Sequence, residues 1–258
     1  MRFVIVCLHM GRELPNQNKE VPVLGLDDRA IHYILFSIAV TLSSVTVVFL
    51  ANTILYDIRA AVLSLYSVFQ LTLVFIFLIW KKTKNIKTIY SWFASHQQIT
   101  GVDIICSIIL LVGCMAATLF FLNTREVAAT SIVTLFAYHF FLIALPEEAV
   151  FRGIAFDGFK LRPTHGLFFS AFLFAFCHIN NGAQWLPYYA ALGLMFGVLR
   201  WTGFSILWLA ICHAIWNVSM TLLADGTFRF SASIFFTLVP LLIITASLLL
   251  GPVRRQLK

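Results

Sequence analysis

The chain has 258 residues, 60% of them hydrophobic and only 11% charged, with a mean hydropathy of +0.92. A soluble domain of this length needs far less apolar surface, so the composition excludes a water-soluble globule and indicates a polytopic membrane protein. The net charge of +7 does not argue for nucleic acid, because the basic residues fall in tails and loops between apolar segments, where they report topology.

In chain order, Phe3 to Leu8 is an apolar run too short to cross a bilayer and is not followed by a small-residue cleavage site, and Gly11 to Arg29 is polar. No lipidation signal is evident: Arg2 stands where myristoylation needs glycine, and the terminal Arg254-Arg255-Gln256-Leu257-Lys258 lacks a prenylatable cysteine. A spanning helix needs about 20 apolar residues. Eight segments are candidates: Ile31–Leu55, Ala60–Trp80, Val102–Leu122, Ile132–Phe159, Leu167–Ile179, Leu186–Trp201, Phe204–Ala224 and Ser231–Gly251. The first three and the last are ordinary lipid-compatible helices. The fourth is long and interrupted by Pro146, and the fifth and sixth are short. Broken or short helices are tolerated at membrane depth where protein or a wet cavity surrounds them. The expected fold class is therefore all-α, with about eight transmembrane helices. It divides into a cytoplasmic tail (1–30), accessory helices (31–130), a transmembrane core (131–251) and a basic tail (252–258). Cys106, Cys114, Cys177 and Cys212 read as apolar packing residues, since the five cysteines show no CxxC or metal-finger spacing.

An even number of spans puts both termini on one side. Fifteen Lys and Arg residues then fall on the side of the termini, counting Arg152, Lys160, Arg162 and Arg200, and only Arg59, Arg125 and Arg229 fall opposite. That asymmetry assigns both termini to the cytoplasm, in the plasma membrane if the source is prokaryotic.

The polar residues that interrupt apolar helices are few. Glu147 and Glu148 are adjacent acids inside one of the most apolar stretches, with Arg152 one turn on. One acid at membrane depth costs about 2.5–3.5 kcal/mol on insertion scales, which makes two side by side a functional signal. His178 closes the fifth segment; His213 and Asn217, four apart, share one face of the seventh, as Glu148 and Arg152 do in the fourth. Glu147 is turned by about 100° from Glu148, so the two acids need not meet the same partner. Counted from the cytoplasmic ends, Glu147 lies twelve residues in, His178 eleven and His213 nine, so three helices bring polar groups to one level. Taken singly, each has a plainer reading: a hydrogen-bonded packing histidine, a buried ion pair that fixes helix rotation, an asparagine bridging helices. His139 is left in that structural class. Taken together, on the irregular half of the chain, they mark a site.

Glu147-Glu148-x-x-x-Arg152, Phe174-x-x-x-His178 and His213-x-x-x-Asn217 resemble, in order, the three motifs of the CAAX-protease and bacteriocin-processing (CPBP, or Abi) intramembrane peptidases. The resemblance covers roughly Ile132 to Ala224. It implies an all-helical, eight-span fold and glutamate-dependent peptide-bond hydrolysis without a metal, in a family that also holds immunity and maturation proteins.

No Ser, Cys or Lys pairs obviously with a base; Cys212 and Ser219 lie off the face of His213. Direct attack by water is thus favoured. Glu147 with His178 is expected to activate it, His213 and Asn217 to stabilise the oxyanion, and Glu148 with Arg152 to support the segment. The expected partners are the bilayer and a membrane-associated peptide or protein, with no nucleic acid and no cofactor. Zinc on Glu147, His178 and His213 is the rival within the enzyme class; against it stand the lack of HExxH and the idle Asn217. Two further classes stay open, a non-catalytic binding or immunity module of the same fold and a proton-coupled transporter, the latter without the inverted repeat such proteins usually carry.

Overall fold

The fold is that of a computed structural model, which describes residues 28–82, 93, 129–159, 163–201 and 203–223. All regular structure among these residues is helical. The helices are α1 (Asp28–Thr53), α2 (Arg59–Lys82), α3 (Ala129–His139), α4 (Leu145–Glu148), α5 (Pro163–Cys177), α6 (Leu186–Trp201) and α7 (Ile206–Leu223). Among the described residues three stretches are long and apolar enough to cross a membrane: Ala30–Thr53, Arg59–Trp80 and Ile132–Ala155; α5 and most of α7 form shorter apolar helices. The expected spans Val102–Leu122 and Ser231–Gly251, residues 1–27 of the expected N-terminal tail and the basic tail lie outside the described residues; residues 28–30 of that tail instead open α1.

α1 and α2 are inside-out by the standards of a soluble protein. Leu35, Leu42 and Phe49 on α1, and Leu65, Phe69 and Ile76 on α2, are exposed, as lipid-facing residues are. The buried stripe of α1 instead carries Ser37, Thr41 and Ser44. Each hydroxyl donates to the carbonyl one turn back (Tyr33, Ser37 and Val40, at 2.7–2.8 Å), which lets a polar residue sit in an apolar contact without an unpaired proton. Small hydroxyl residues also allow close helix approach, and the Tyr66 hydroxyl of α2 reaches Ser43 and Ser44 at 2.7 and 2.8 Å.

Pro146 was expected to break the fourth span. It does not: α3 runs through a π-helical segment, Phe140–Ala144, into α4, then a second π segment, Ala149–Ala155. Proline has no N–H and its ring crowds the carbonyl four residues back. The wider π turn absorbs both defects, and Leu145 N–H bonds Phe140 O, five residues away. The second π segment is buried along its whole length and touches α1, α2, α5, α6 and α7, so it forms the axis of the bundle. α5 starts four residues before the expected Leu167 and ends at Cys177. It packs most intimately on α6, because Gly193 and Gly197 present bare backbone: a Cβ at Gly193 would lie 2.9 Å from Ala171 Cα.

Candidate active site

The three helical segments carrying the motif residues converge. Glu147 and Glu148 leave α4 just before the second π segment, His178 stands at the end of α5, and His213 lies within α7. Glu148 and Arg152 are fully buried and one turn apart, with Arg152 Nη1 3.3 Å from Glu148 Oε1. That contact is electrostatic, since Nη1 is not aligned to donate a hydrogen bond. Arg152 Nη2 donates to Gly193 O at 3.3 Å, and its guanidinium carbon lies 4.4 Å from the Phe174 ring centroid and 5.4 Å from that of Phe196. Aromatic faces and one carboxylate thus compensate a cation removed from water.

Glu148 has a second partner that the sequence reading did not supply. His213 Nδ1 lies 2.8 Å from Glu148 Oε1, where the carboxylate accepts from N–H. This bond orients the His213 ring and turns Nε2 toward Glu147 Oε2, 3.9 Å away. From the other side, His178 Nδ1 donates to Phe174 O at 2.8 Å, which leaves Nε2 facing Glu147 Oε1 at 4.0 Å. Both acids therefore meet one histidine, although their side chains leave the helix in different directions. Each histidine spends Nδ1 on a structural bond and presents Nε2 to the same carboxylate. Glu147 and His178 retain 15% and 18% side-chain exposure against none for Glu148 and Arg152, so the opening of the site is at Glu147 and His178. Glu147 Oε2 and Glu148 Oε2 meet no hydrogen-bond donor among the described residues.

Asn217 follows His213 by one turn and is half-buried. Its backbone carbonyl accepts from Thr221 Oγ1 at 2.9 Å, and no hydrogen bond among the described residues uses its amide. His139, read as structural, bonds that same Thr221 oxygen at 3.2 Å. The Thr221 proton is already given to Asn217 O, so His139 Nε2 must donate, and its buried Nδ1 meets no partner among the described residues. Ser219 donates to Ile215 O at 2.9 Å and Cys212 is buried and free. Arg152, counted above as a topological charge, is enclosed by the site and drops out of that count. Among the described residues no group of three or more His, Cys, Asp or Glu side chains is arranged to hold a metal ion.

A helical bundle of membrane-spanning length, closed around two carboxylates, two histidines and a caged guanidinium, defines a membrane-embedded domain equipped for acid–base chemistry. Residues 128–219 match the family model described as type II CAAX prenyl endopeptidase Rce1-like. That segment runs from the start of α3 into α7, and through it the chain is similar to the CAAX-protease (CPBP) family. No curated protein and no solved structure matches the chain.

Proposed function

We propose that the protein is an intramembrane endopeptidase that hydrolyses a peptide bond of a membrane-associated protein or peptide with water activated by Glu147. The observation that carries this reading is the pair of Nε2 atoms, from His178 and His213, facing the two oxygens of one carboxylate at 4.0 and 3.9 Å. These gaps are too long for a direct hydrogen bond and suit a single bridging water. Glu147 takes a proton from that water as its oxygen attacks the scissile carbonyl carbon. The same proton then passes to the leaving amine as the C–N bond breaks, which returns Glu147 to its starting state. His178 orients the water through Nε2. Held by Glu148 through Nδ1, His213 is the oxyanion partner through Nε2–H, and the Asn217 amide supplies a second donor.

The test uses full-length protein in proteoliposomes with an internally quenched farnesyl-cysteine peptide, the substrate type in the family description. Alongside it, new protein C-termini are compared in membranes holding wild type or Glu147→Gln. Glu147→Gln, His178→Ala and His213→Ala are each expected to abolish cleavage while the protein stays in the membrane at normal level. Activity should survive exhaustive chelation. The reading fails if no cleavage distinguishes wild type from Glu147→Gln, and the metal-free mechanism fails if activity lost on chelation returns with stoichiometric zinc.

A further inference from the structure

His178 occupies a position that gives it little local support. It stands just past the end of α5, its backbone already out of helical geometry (φ −95°, ψ 9°) and its N–H bonded only to Ala175 O at 3.0 Å. A side chain there has no following turn of α-helix to pack against, yet the proposed chemistry needs its Nε2 held toward Glu147. The Nδ1–Phe174 bond sets one axis of the ring and leaves its plane free to swing about it.

Two neighbouring helices fix that plane. Tyr189, on α6, stacks on the imidazole with ring centroids 4.2 Å apart and planes inclined by only 20°, and Phe174 lies 4.7 Å from the imidazole centroid at a tilt of 47°. The Tyr189 hydroxyl in turn accepts from Asn181 Nδ2 at 2.7 Å. Asn181 belongs to the 3-10 turn, Ile179–Asn181, that directly follows His178. From the same turn Asn180 Nδ2 donates to Val45 O of α1 at 2.8 Å, a bond spanning 135 residues of sequence. Gly182 closes the turn at φ +110°, a conformation that L side chains rarely adopt. The turn carrying His178 is thus gripped by α1 through Asn180 and by α6 through Asn181, and the residue that anchors Asn181 is the one stacked on the imidazole.

We infer that Tyr189 is a positioning residue for His178, and that Asn180 and Asn181 hold the turn in the register this requires. The inference rests on the reading of His178 as the partner of Glu147 in peptide hydrolysis. It adds a contribution from α1, which lies outside the segment matched by the family model. Among the described residues no hydrogen bond joins Tyr189 to either acid, and its ring contact is with the imidazole, so it acts through His178.

The experiment uses full-length protein in proteoliposomes and the quenched farnesyl-cysteine peptide, or a quenched peptide spanning whichever Glu147-dependent bond the C-terminal comparison finds. Wild type, Glu147→Gln, Tyr189→Leu, Tyr189→Phe and the double variant Asn180→Ala/Asn181→Ala are compared for kcat, KM and thermal unfolding. Misplacing a reacting group by an ångström lowers turnover by about 10²-fold. Tyr189→Leu should therefore lose about 10–100-fold in kcat with KM changed by less than about threefold. Tyr189→Phe, which keeps the stack, should recover most of that loss, as a mere packing role filled equally by leucine would not predict. The double asparagine variant removes two hydrogen bonds at the surface end of the bundle without opening the core. It should lose about tenfold in kcat at an unchanged unfolding temperature, and it decides the matter if Tyr189→Leu does not fold. Wild-type kcat in Tyr189→Leu, or in the double variant, while Glu147→Gln is inactive, overturns this inference alone. An active Glu147→Gln overturns the proposed function beneath it.

Discussion

Glu148 and Arg152 are the most completely enclosed charges among the described residues of the site, and each needs the other. Removing one partner of a buried pair leaves an uncompensated ion and costs about 3–5 kcal/mol, whereas replacing both with apolar groups of similar size can be nearly neutral. Glu148→Leu and Arg152→Met should each lower the thermal stability of the detergent-solubilised protein sharply, and the double variant should be more stable than either. Additive losses would show that the 3.3 Å contact contributes nothing specific. The double variant should still be inactive, because His213 then has no acceptor for Nδ1–H. Asn217 makes the opposite case, a polar amide with no hydrogen bond to lose among the described residues. Asn217→Ala should leave stability and KM nearly unchanged and lower kcat by about 10²–10³, the signature of a donor used chiefly in the transition state. An equal rise in KM with kcat preserved would make Asn217 a binding residue. At this scale the sequence was informative wherever the code is local. The four-residue spacing of Glu148 and Arg152 and the cost of acids in an apolar run pointed to residues that do come together. The Glu148–His213 bond was not legible, since 65 residues separate the pair and periodicity describes faces within a helix, not which face of another helix it meets.

At the scale of elements, Pro146 shows what a residue's intrinsic chemistry fixes and what it leaves to the rest of the chain. Its missing N–H and bulky ring dictate a defect in the ladder, and that much was readable. Whether the defect becomes a kink, a break or a wider turn depends on what surrounds it. Here Ala144, Glu148 and the whole second π segment are buried against neighbouring helices, and a continuous helix with π turns preserves that burial. The π turns also set the rotation of Glu147 relative to α3. Pro146→Ala restores an N–H and removes the clash, so the segment should relax toward regular α-helical pairing. Thermal stability should then hold or rise while kcat falls by about tenfold or more, since the acid turns away from the two imidazoles. Unchanged kcat would mean that packing, not proline, fixes the π geometry. The α5–α6 contact makes the same point through glycine. Gly193 brings α6 against Ala171 and also leaves its carbonyl within reach of Arg152, so Gly193→Ala should destabilise by about 1–3 kcal/mol through overpacking, read as a lower unfolding temperature.

For the whole molecule, the family-matched segment is not a self-sufficient unit. α1 and α2 lie outside residues 128–219, yet both pack on the buried π segment that forms the axis of the bundle, and α1 accepts the hydrogen bond from Asn180. Composition alone placed the chain in a membrane, and the outward-facing Leu, Ile and Phe of α1 and α2 are what that composition requires. Orientation is a separate matter, because helix packing is indifferent to which end faces the cytoplasm. It depends on charges in short loops, of which only those free to stay hydrated count. With Arg152 enclosed beside Glu148, one is subtracted from fifteen, and the balance becomes fourteen Lys and Arg on the side of the termini against three opposite. The asymmetry survives, so both termini should be cytoplasmic. Reporter fusions that fluoresce only in the cytoplasm should be bright at Lys258 and dark near Arg125, with complementary results from a reporter active only across the membrane. Equal signals at the two positions would contradict this orientation and the even number of spans together. Moving positive charge gives a sharper version. Substituting Lys81, Lys82, Lys84 and Lys87 with Gln, while adding lysines beside Arg125, should weaken or invert the reporter pattern if loop charge sets the orientation, whereas a pattern that does not change would assign it to the order in which the apolar segments insert.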